Sequence, residues 1–124
     1  MVSVLLLAGC TGNDKSENLN VFPKNYKSQI TLLLKNTLDD ATNIRDAFIT
    51  EPVLGNGGKG PYFACVRFNA RDVNRQYKGS EDRIAYFYKG ELNQLIPATP
   101  EQCARAPYVP FPEAQKLCMG KSCE

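Results

Sequence analysis

The five cysteines restrict the folds open to this chain more than any other feature of its 124 residues. One is Cys10, and the other four lie in the second half of the sequence, at Cys65, Cys103, Cys118 and Cys123. A chain of this size builds a modest hydrophobic core, so cross-links contribute a sizeable share of its stability. In an oxidising compartment an even set of cysteines pairs by default, and the compartment is therefore the first question.

The first ten residues predict export and lipid attachment. Val2 to Gly9 is an apolar stretch, too short for the roughly 20 residues that span a bilayer but long enough for a signal peptide. It ends in Leu7-Ala8-Gly9-Cys10, which resembles the bacterial lipobox at all four positions. The resemblance implies that a lipoprotein signal peptidase removes residues 1–9 and that the Cys10 thiol carries diacylglycerol.

The residues before and after this segment match the pattern of a lipoprotein only in part. The positive charges that precede such a stretch are missing, so we expect the true start to lie upstream; the alternative is a buried N-terminal strand or helix. Residues 11–20 are polar, as in a flexible tether. Since several acyl chains on one cysteine anchor stably, we expect an envelope protein held to the membrane through Cys10. By resemblance to enterobacterial sorting, Thr11 favours the outer membrane, facing the periplasm.

This reading divides the chain into a signal peptide at 1–9, a lipidated tether at 10–21 and a single globular domain at 22–124. The four remaining cysteines allow three pairings. We favour Cys65–Cys103 and Cys118–Cys123, because the latter two are close in sequence. A zinc site or a redox pair is the alternative, but neither the knuckle spacing nor the Cys-x-x-Cys motif occurs.

The composition limits which kinds of partner and which kinds of chemistry we expect. Fifteen Lys and Arg against 13 Asp and Glu give a net charge of +2, so nucleic acid is not an expected partner. Histidine is absent, which removes the commonest general base and transition-metal ligand, and we expect no metal and no cofactor. Acid pairs such as Asp39-Asp40 stand on turns where neighbouring side chains point apart, so we predict no catalytic residue and no enzyme.

Hydrophobic periodicity predicts one helix followed by strands. Residues 23–38 carry an apolar stripe at helical spacing, made of Tyr26, Ile30, Leu33, Leu34 and Leu38. Tyr62 to Asn69 alternates as a strand, and Arg83 to Ile96 supplies its partner, with a break at Lys89-Gly90 and a further short strand at Leu92–Ile96. Asp72 to Asp82 is then a long hairpin loop.

The segment before the strong strand is less regular. Asp39 to Asn43 resembles a turn, and Ile44 to Pro52 predicts a short helical turn running into a strand. Gly55 to Gly60 holds four glycines, which suggests either a hairpin connection or a phosphate cradle. The spacing of a phosphate-binding loop is missing, so the hairpin is favoured.

The tail of the sequence predicts an extended segment, here called the strap. Three prolines force an extended path from Pro107 to Pro112, with Tyr108 and Phe111 as anchors, and a helical turn is expected over Glu113–Cys118. We expect this strap to pack across the domain; the alternative is a proline-rich ligand for a recognition domain.

The predicted fold class is α+β, with an N-terminal helix packed on an antiparallel sheet of about three strands in two layers, stabilised by disulfides. Most of residues 22–117 resembles a family of small exported lipoproteins of alphaproteobacteria that has no assigned function. The resemblance lies in Asn25-Tyr26-Lys27, Ile44-Arg45-Asp46-Ala47, Cys65-Val66-Arg67-Phe68-Asn69-Ala70-Arg71, Tyr77-Lys78-Gly79 and Pro110-Phe111-Pro112-Glu113. The resemblance implies a location and no activity. The order of elements is also similar to the small lipoprotein of the outer-membrane β-barrel assembly machine, in architecture alone.

A candidate binding face consists of polar residues on and beside the strong strand: Arg67, Asn69, Arg71, Arg75 and Arg83. On the sheet face left open by the helix, paired guanidinium groups would form a fork for carboxylates or phosphates. The alternative is that these residues pair with nearby acids, namely Asp46, Asp72, Glu81 and Asp82. Tyr62, Tyr86 and Tyr88 would likewise form a recognition surface or simply the core.

These features predict a membrane-anchored envelope lipoprotein that serves as a binding or accessory module, with an envelope protein as partner and an oligomeric state left open. The alternative is an inhibitor of a periplasmic or host hydrolase, which would place the Asp72–Asp82 loop in the enzyme's cleft.

Overall fold

The computed structural model describes residues 20–117. The predicted lipobox, nearly all of the predicted tether and the predicted Cys118–Cys123 pair lie outside the described residues. The chain forms, in order, helix α1 and six strands with a second short helix at the end: α1 (Tyr26–Thr37), β1 (Asp40–Ile49), β2 (Val53–Leu54), β3 (Tyr62–Arg71), β4 (Glu81–Tyr88), β5 (Glu91–Pro97), β6 (Val109–Pro110) and α2 (Pro112–Gln115). The predicted α+β class is confirmed.

All strand pairs are antiparallel, in the order β5-β4-β3-β1-β6, and β2 pairs with the first residues of β3. The prediction of about three strands was therefore too low. β2 and β6 have two residues each, too few for alternation to reveal, and β1 was misread. The glycine-rich segment contains a short 3-10 turn, Asn56–Gly58, and joins β2 to β3 as the hairpin connection that was favoured.

Helix α1 confirms the apolar stripe at 23–38. Ile30 and Leu34 are fully buried against the sheet, in the larger of two hydrophobic cores. Gln29 fastens the helix to the β4–β5 turn, since its Oε1 accepts from the Leu92 N–H at 2.6 Å and its Nε2 donates to the Gly90 carbonyl at 3.0 Å. The helix is thus fixed along the β5 side of the sheet.

Strand β1 begins where a turn over Asp39 to Asn43 was predicted and continues where a helical turn running into a strand was predicted. The turn and the helical turn were wrong, and only the strand at the end of that segment agrees with β1. The strand contains two bulges, where its register with β3 shifts and where Asn43 and Asp46 adopt φ of 57° and 52°. Each bulge inserts extra residues, so inward-facing positions no longer alternate. The buried residues instead recur at a nearly helical spacing: Ala41, Ile44, Ala47 and Ile49.

The face of the sheet opposite α1 carries a second, smaller core of Cys65, Ile84 and Cys103. Residues 98–108 pass over it, and the predicted Cys65–Cys103 disulfide joins this cover to β3 with a Cα–Cα distance of 6.0 Å. The prediction of two layers with an open face therefore needs correction, because both faces of the sheet are covered.

The tail confirms the predicted strap. After covering the disulfide side, the chain pairs with the edge of β1 through β6 and then inserts Phe111, fully buried, into the core beneath α1. Helix α2 matches the helical turn expected near Glu113. The last segment of the domain thus passes around one edge of the sheet and closes both cores.

Candidate functional site

The five residues of the predicted binding face do not lie on one face. Arg67, Asn69 and Arg71 stand at alternate positions of β3, whereas Arg83 pairs in register with Val66, a residue of the core beneath α1. Because side chains alternate along strands, Arg83 lies on the helix side and Arg67 on the disulfide side. Arg75 lies in the loop between β3 and β4. Each residue therefore has its own surroundings.

Arg67 is engaged by two residues of the domain. Its Nε lies 2.7 Å from the Asp82 Oδ1, and its guanidinium carbon lies 4.4 Å from the ring centre of Tyr108, whose hydroxyl donates to the same Asp82 oxygen at 2.9 Å. Mainly through the hydrogen bond from Arg67, the pKa of Asp82 lies below its ordinary value. Burial, followed by the bond to Asp82, raises the pKa of Tyr108. Arg67 therefore pairs with one of the four nearby acids named in the alternative to a binding face, namely Asp82.

Asn69 and Arg71 hold neighbouring segments in place. The Asn69 side-chain oxygen accepts from the Gly79 N–H at 3.0 Å, and an Arg71 Nη atom lies 2.6 Å from the Asp40 carboxylate. The Thr42 hydroxyl also donates to Asp40 and is the main cause of the lowered pKa of that carboxyl. Asn69 therefore positions the β3–β4 loop, and Arg71 positions the start of β1.

The β3–β4 loop, residues 72–80, is held by its own side chains. The Asp72 carboxylate accepts from the N–H groups of Asn74 and Gln76 at 2.8 and 3.0 Å, and the bond from Gln76 chiefly lowers the pKa of Asp72. The Tyr77 hydroxyl donates to the Asn43 carbonyl at 2.6 Å. Arg75, with φ of 61°, and Val73, 74% exposed, are presented at the tip.

Arg83 has different surroundings from Arg67, Asn69 and Arg71. Its guanidinium carbon lies 4.3 Å from the ring centre of Phe68, which is itself buried. The pair forms part of a concavity of about 410 Å³ between the second half of α1 and β5, with walls that include Leu33, Leu38 and Leu95. Within residues 20–117 the guanidinium forms no ion pair and no hydrogen bond to a side chain. We call this concavity the Arg83 groove.

Sequence reasoning named Arg83 but not the groove. Alternation alone assigns residues of one strand to two faces, and the register between two strands is needed to relate them. The predicted tyrosine surface divides in the same way, with Tyr62 packed against the core beneath α1 and Tyr86 against the disulfide core. The groove also depends on how α1 lies over β5, which the periodicity of either element does not specify.

In the part of the chain that the structure describes, no group of three or more acids or cysteines is arranged to hold a metal ion. Nor does that part contain a helix of the length and apolar character needed to cross a bilayer. A scan against protein-family models, a search of curated proteins and a search of solved structures each find no match for this chain.

Proposed function

We propose that this chain is a small lipoprotein of the bacterial cell envelope that serves as a non-enzymatic binding or accessory module. The lipobox at 7–10 and the polar residues at 11–20 support an anchor at Cys10, and Thr11 supports the outer membrane, facing the periplasm. The Arg83 groove carries the binding role, because it combines apolar walls with a guanidinium that has no ion-pair partner among residues 20–117.

The groove suits a segment of an envelope protein that presents a carboxylate beside an apolar side chain. The Arg83 guanidinium carbon lies 4.3 Å from the centre of the Phe68 ring, a cation–π contact that holds the group beside the groove and leaves its N–H groups to bind a carboxylate in a bidentate manner. Asp39 and Glu81 line a smaller adjoining cavity, but neither lies within ion-pair distance of Arg83. Binding sites of this kind are mostly apolar, with a few fixed polar groups that orient the ligand.

Co-purification from detergent-solubilised membranes of the native host tests this role. We expect Arg83→Gln to reduce recovery of the partner at least tenfold, because a charge-assisted hydrogen bond contributes about 1.5–3 kcal/mol. Arg105→Gln is the matched control, since Arg105 is an exposed arginine in the segment on the disulfide side. Equal recovery with the two variants would overturn the binding role of the groove.

The anchor is tested separately by mass spectrometry of the N-terminal peptide from the native host. We expect a diacylglyceryl group on Cys10, and we expect Cys10→Ser to move the protein from the membrane fraction to the soluble one. An unmodified Cys10 thiol in the mature protein would overturn the anchor.

A second candidate function, inhibition of a periplasmic or host hydrolase, is favoured by the β3–β4 loop. Its internal hydrogen bonds hold the loop before any partner binds, and such preorganisation reduces the conformational entropy lost on binding. If the loop enters an enzyme's cleft, co-purification recovers one hydrolase in stoichiometric amount. Val73→Asp then abolishes inhibition, whereas Val53→Asp, at an exposed valine of β2, leaves inhibition unchanged.

A further inference from the structure

A shallow concavity of about 720 Å³ lies where one side of α1 meets the β4–β5 turn. Its lining includes three lysines and two exposed apolar side chains, which we call together the basal surface: Val21, Lys24, Leu32, Lys35 and Lys89. Leu32 is 60% exposed and Val21 is 45% exposed. Such a mixture of lysine and exposed aliphatic groups is typical of surfaces that lie on a bilayer.

The basal surface carries an excess of positive charge. Lys24, Lys35 and Lys89 form no ion pair within residues 20–117, and Glu91 is the one acid among the described residues that line the concavity. Lys27, on the same helix, lies 3.9 Å from Glu113 and is therefore partly neutralised. The surface is accordingly complementary to anionic headgroups.

The chain enters the domain at this surface. The Asn20 side chain donates to the Lys59 carbonyl at 2.8 Å, and Val21 lies against Gly90, where a Cβ would come within 3.4 Å of it. Phe22 then packs edge-on against Tyr62, with ring centres 5.3 Å apart. The entry point is thus fixed beside the concavity.

The distance to the anchor makes this side of the domain face the bilayer. Ten residues, 11–20, separate Cys10 from Val21, and a ten-residue chain without regular structure spans about 18 Å on average. A domain of about a hundred residues is itself roughly 30 Å across. A lipid on Cys10 therefore holds the basal surface nearer to the headgroups than the far side of the domain.

We propose that the basal surface rests on anionic phospholipid headgroups when the protein is anchored through Cys10. This proposal rests on the lipid anchor of the proposed function. Acyl chains and a basic surface then provide two membrane signals in one small protein. On α1 the Arg83 groove is lined by Leu33, Leu34 and Thr37, whereas the basal surface includes Leu32 and Lys35. At about 3.6 residues per turn these two sets lie on different sides of the helix, so the groove stays open to a partner while the domain lies on the membrane.

Site-specific photo-crosslinking of the full chain in its native host tests the proposal. A photoreactive amino acid replaces Leu32 in one sample and Val53, a matched aliphatic residue that is 51% exposed on β2, in another. We expect phospholipid adducts at position 32 and at least tenfold fewer at position 53. Protein adducts in place of lipid adducts at position 32 would show a docking site for a protein and overturn the proposal.

A charge-reversal pair tests the electrostatic part. Each lysine near an anionic surface contributes about a fivefold gain in binding. We therefore expect Lys24→Glu combined with Lys89→Glu to lower the lipid adducts at position 32 at least tenfold. The matched control, Arg75→Glu with Arg105→Glu, reverses two charges elsewhere and should leave the adducts unchanged. An equal effect of the two pairs would contradict a specific contact.

The mass of the Cys10 peptide in the same samples distinguishes the two proposals. A lipidated Cys10 with equal lipid adducts at positions 32 and 53 overturns the contact surface and leaves the anchor standing. An unmodified Cys10 overturns the anchor and the contact surface with it.

Discussion

Arg67, Asp82 and Tyr108 bind one another although they come from three separate segments of the chain. Arg67 is on β3, Asp82 is on β4, and Tyr108 belongs to the tail. The phenol serves twice, since its ring stacks on the guanidinium and its hydroxyl donates to the carboxylate. These contacts fasten the tail to the disulfide side of the sheet.

The hydroxyl of Tyr108 contributes to stability through the charged Asp82. We expect Tyr108→Phe to lower the free energy of unfolding by about 1.5 kcal/mol, because a hydrogen bond to a charged group is lost while the ring remains. Urea unfolding measures the change. Tyr88→Phe, at a tyrosine that is 42% exposed, should change it by less than about 0.5 kcal/mol. Equal values for the two variants would contradict this role of the hydroxyl.

Asp82 also makes the stability depend on pH. Its pKa is lowered in the folded chain, chiefly by Arg67, so below about pH 4 the unfolded chain binds a proton that the folded chain does not. The stabilisation by Asp82 is therefore complete near neutral pH and lost as the pH falls through the folded pKa. We expect urea unfolding of Asp82→Asn to show a lower stability than wild type at pH 7 and a smaller difference at pH 3. A difference independent of pH would exclude this carboxyl as the cause.

The sequence predicted correctly those features of single residues that depend only on their neighbours along the chain. Alternation assigned the side chains of β3 to the right faces. Asp82, which pairs with Arg67, was only one of four acids proposed as alternative partners, because the choice among them depends on the register between β3 and β4. Arg83 was grouped with Arg67 because both are arginines near one loop. Their separation depends on the pairing of Arg83 with Val66, a contact between distant positions of the chain.

Among the elements, β1 departs furthest from regular geometry. Its two bulges let one strand bring buried residues to the core while it also pairs with β6 at its other edge. The Asn43 bulge is braced by the Tyr77 hydroxyl, and Arg45 lies over the Tyr77 ring at 4.0 Å. The shape of β1 is therefore coupled to the β3–β4 loop.

Asp46 tests the backbone contribution of the second bulge, because it is exposed and has φ of 52°. We expect Asp46→Val to lower the free energy of unfolding by about 1–2 kcal/mol, since a β-branched side chain is strained in the left-handed region. Asp46→Gly should change it by no more than about 0.5 kcal/mol, because glycine adopts this φ without strain. Thermal and urea unfolding measure both. Similar losses for valine and glycine would show that the aspartate side chain itself is required.

Helices and strands whose apolar residues follow one uninterrupted spacing were predicted from the sequence. Those in which that spacing is interrupted were not. The stripe at 23–38 gave α1, and the alternation at 62–69 gave most of β3. In β1 the bulges replaced alternation by a spacing of about three, which is also the spacing of a helix. Bulges arise from pairing with a partner strand, and a single segment does not encode its partner.

In the whole molecule, the tail is the segment that joins the two cores. Cys103 belongs to the core on the disulfide side, and Phe111 fills the core beneath α1. Between them, β6 pairs with the edge of β1. Along the chain, the segment that covers the disulfide side comes first, then β6 at the edge of the sheet, and then the buried Phe111. This order is expected for a strap.

The disulfide should provide much of the stability of this arrangement. The bond closes a loop with a sequence separation of 38, for which the loss of chain entropy in the unfolded state corresponds to about 4 kcal/mol. We expect the Cys65→Ala plus Cys103→Ala variant to lose about that much in urea unfolding, a large part of the 5–15 kcal/mol typical of small domains. A loss below about 1 kcal/mol would show that packing alone holds the segment over the sheet.

The position of the strap late in the chain affects when the domain closes. During synthesis from the N-terminus, α1 and strands β1 to β5 emerge before residues 98–117. Until then the sheet lacks a cover on one side and a large aromatic side chain on the other. Both cores are therefore completed only when residues 98–117 are available, so closure of the domain is a late step that depends on the strap.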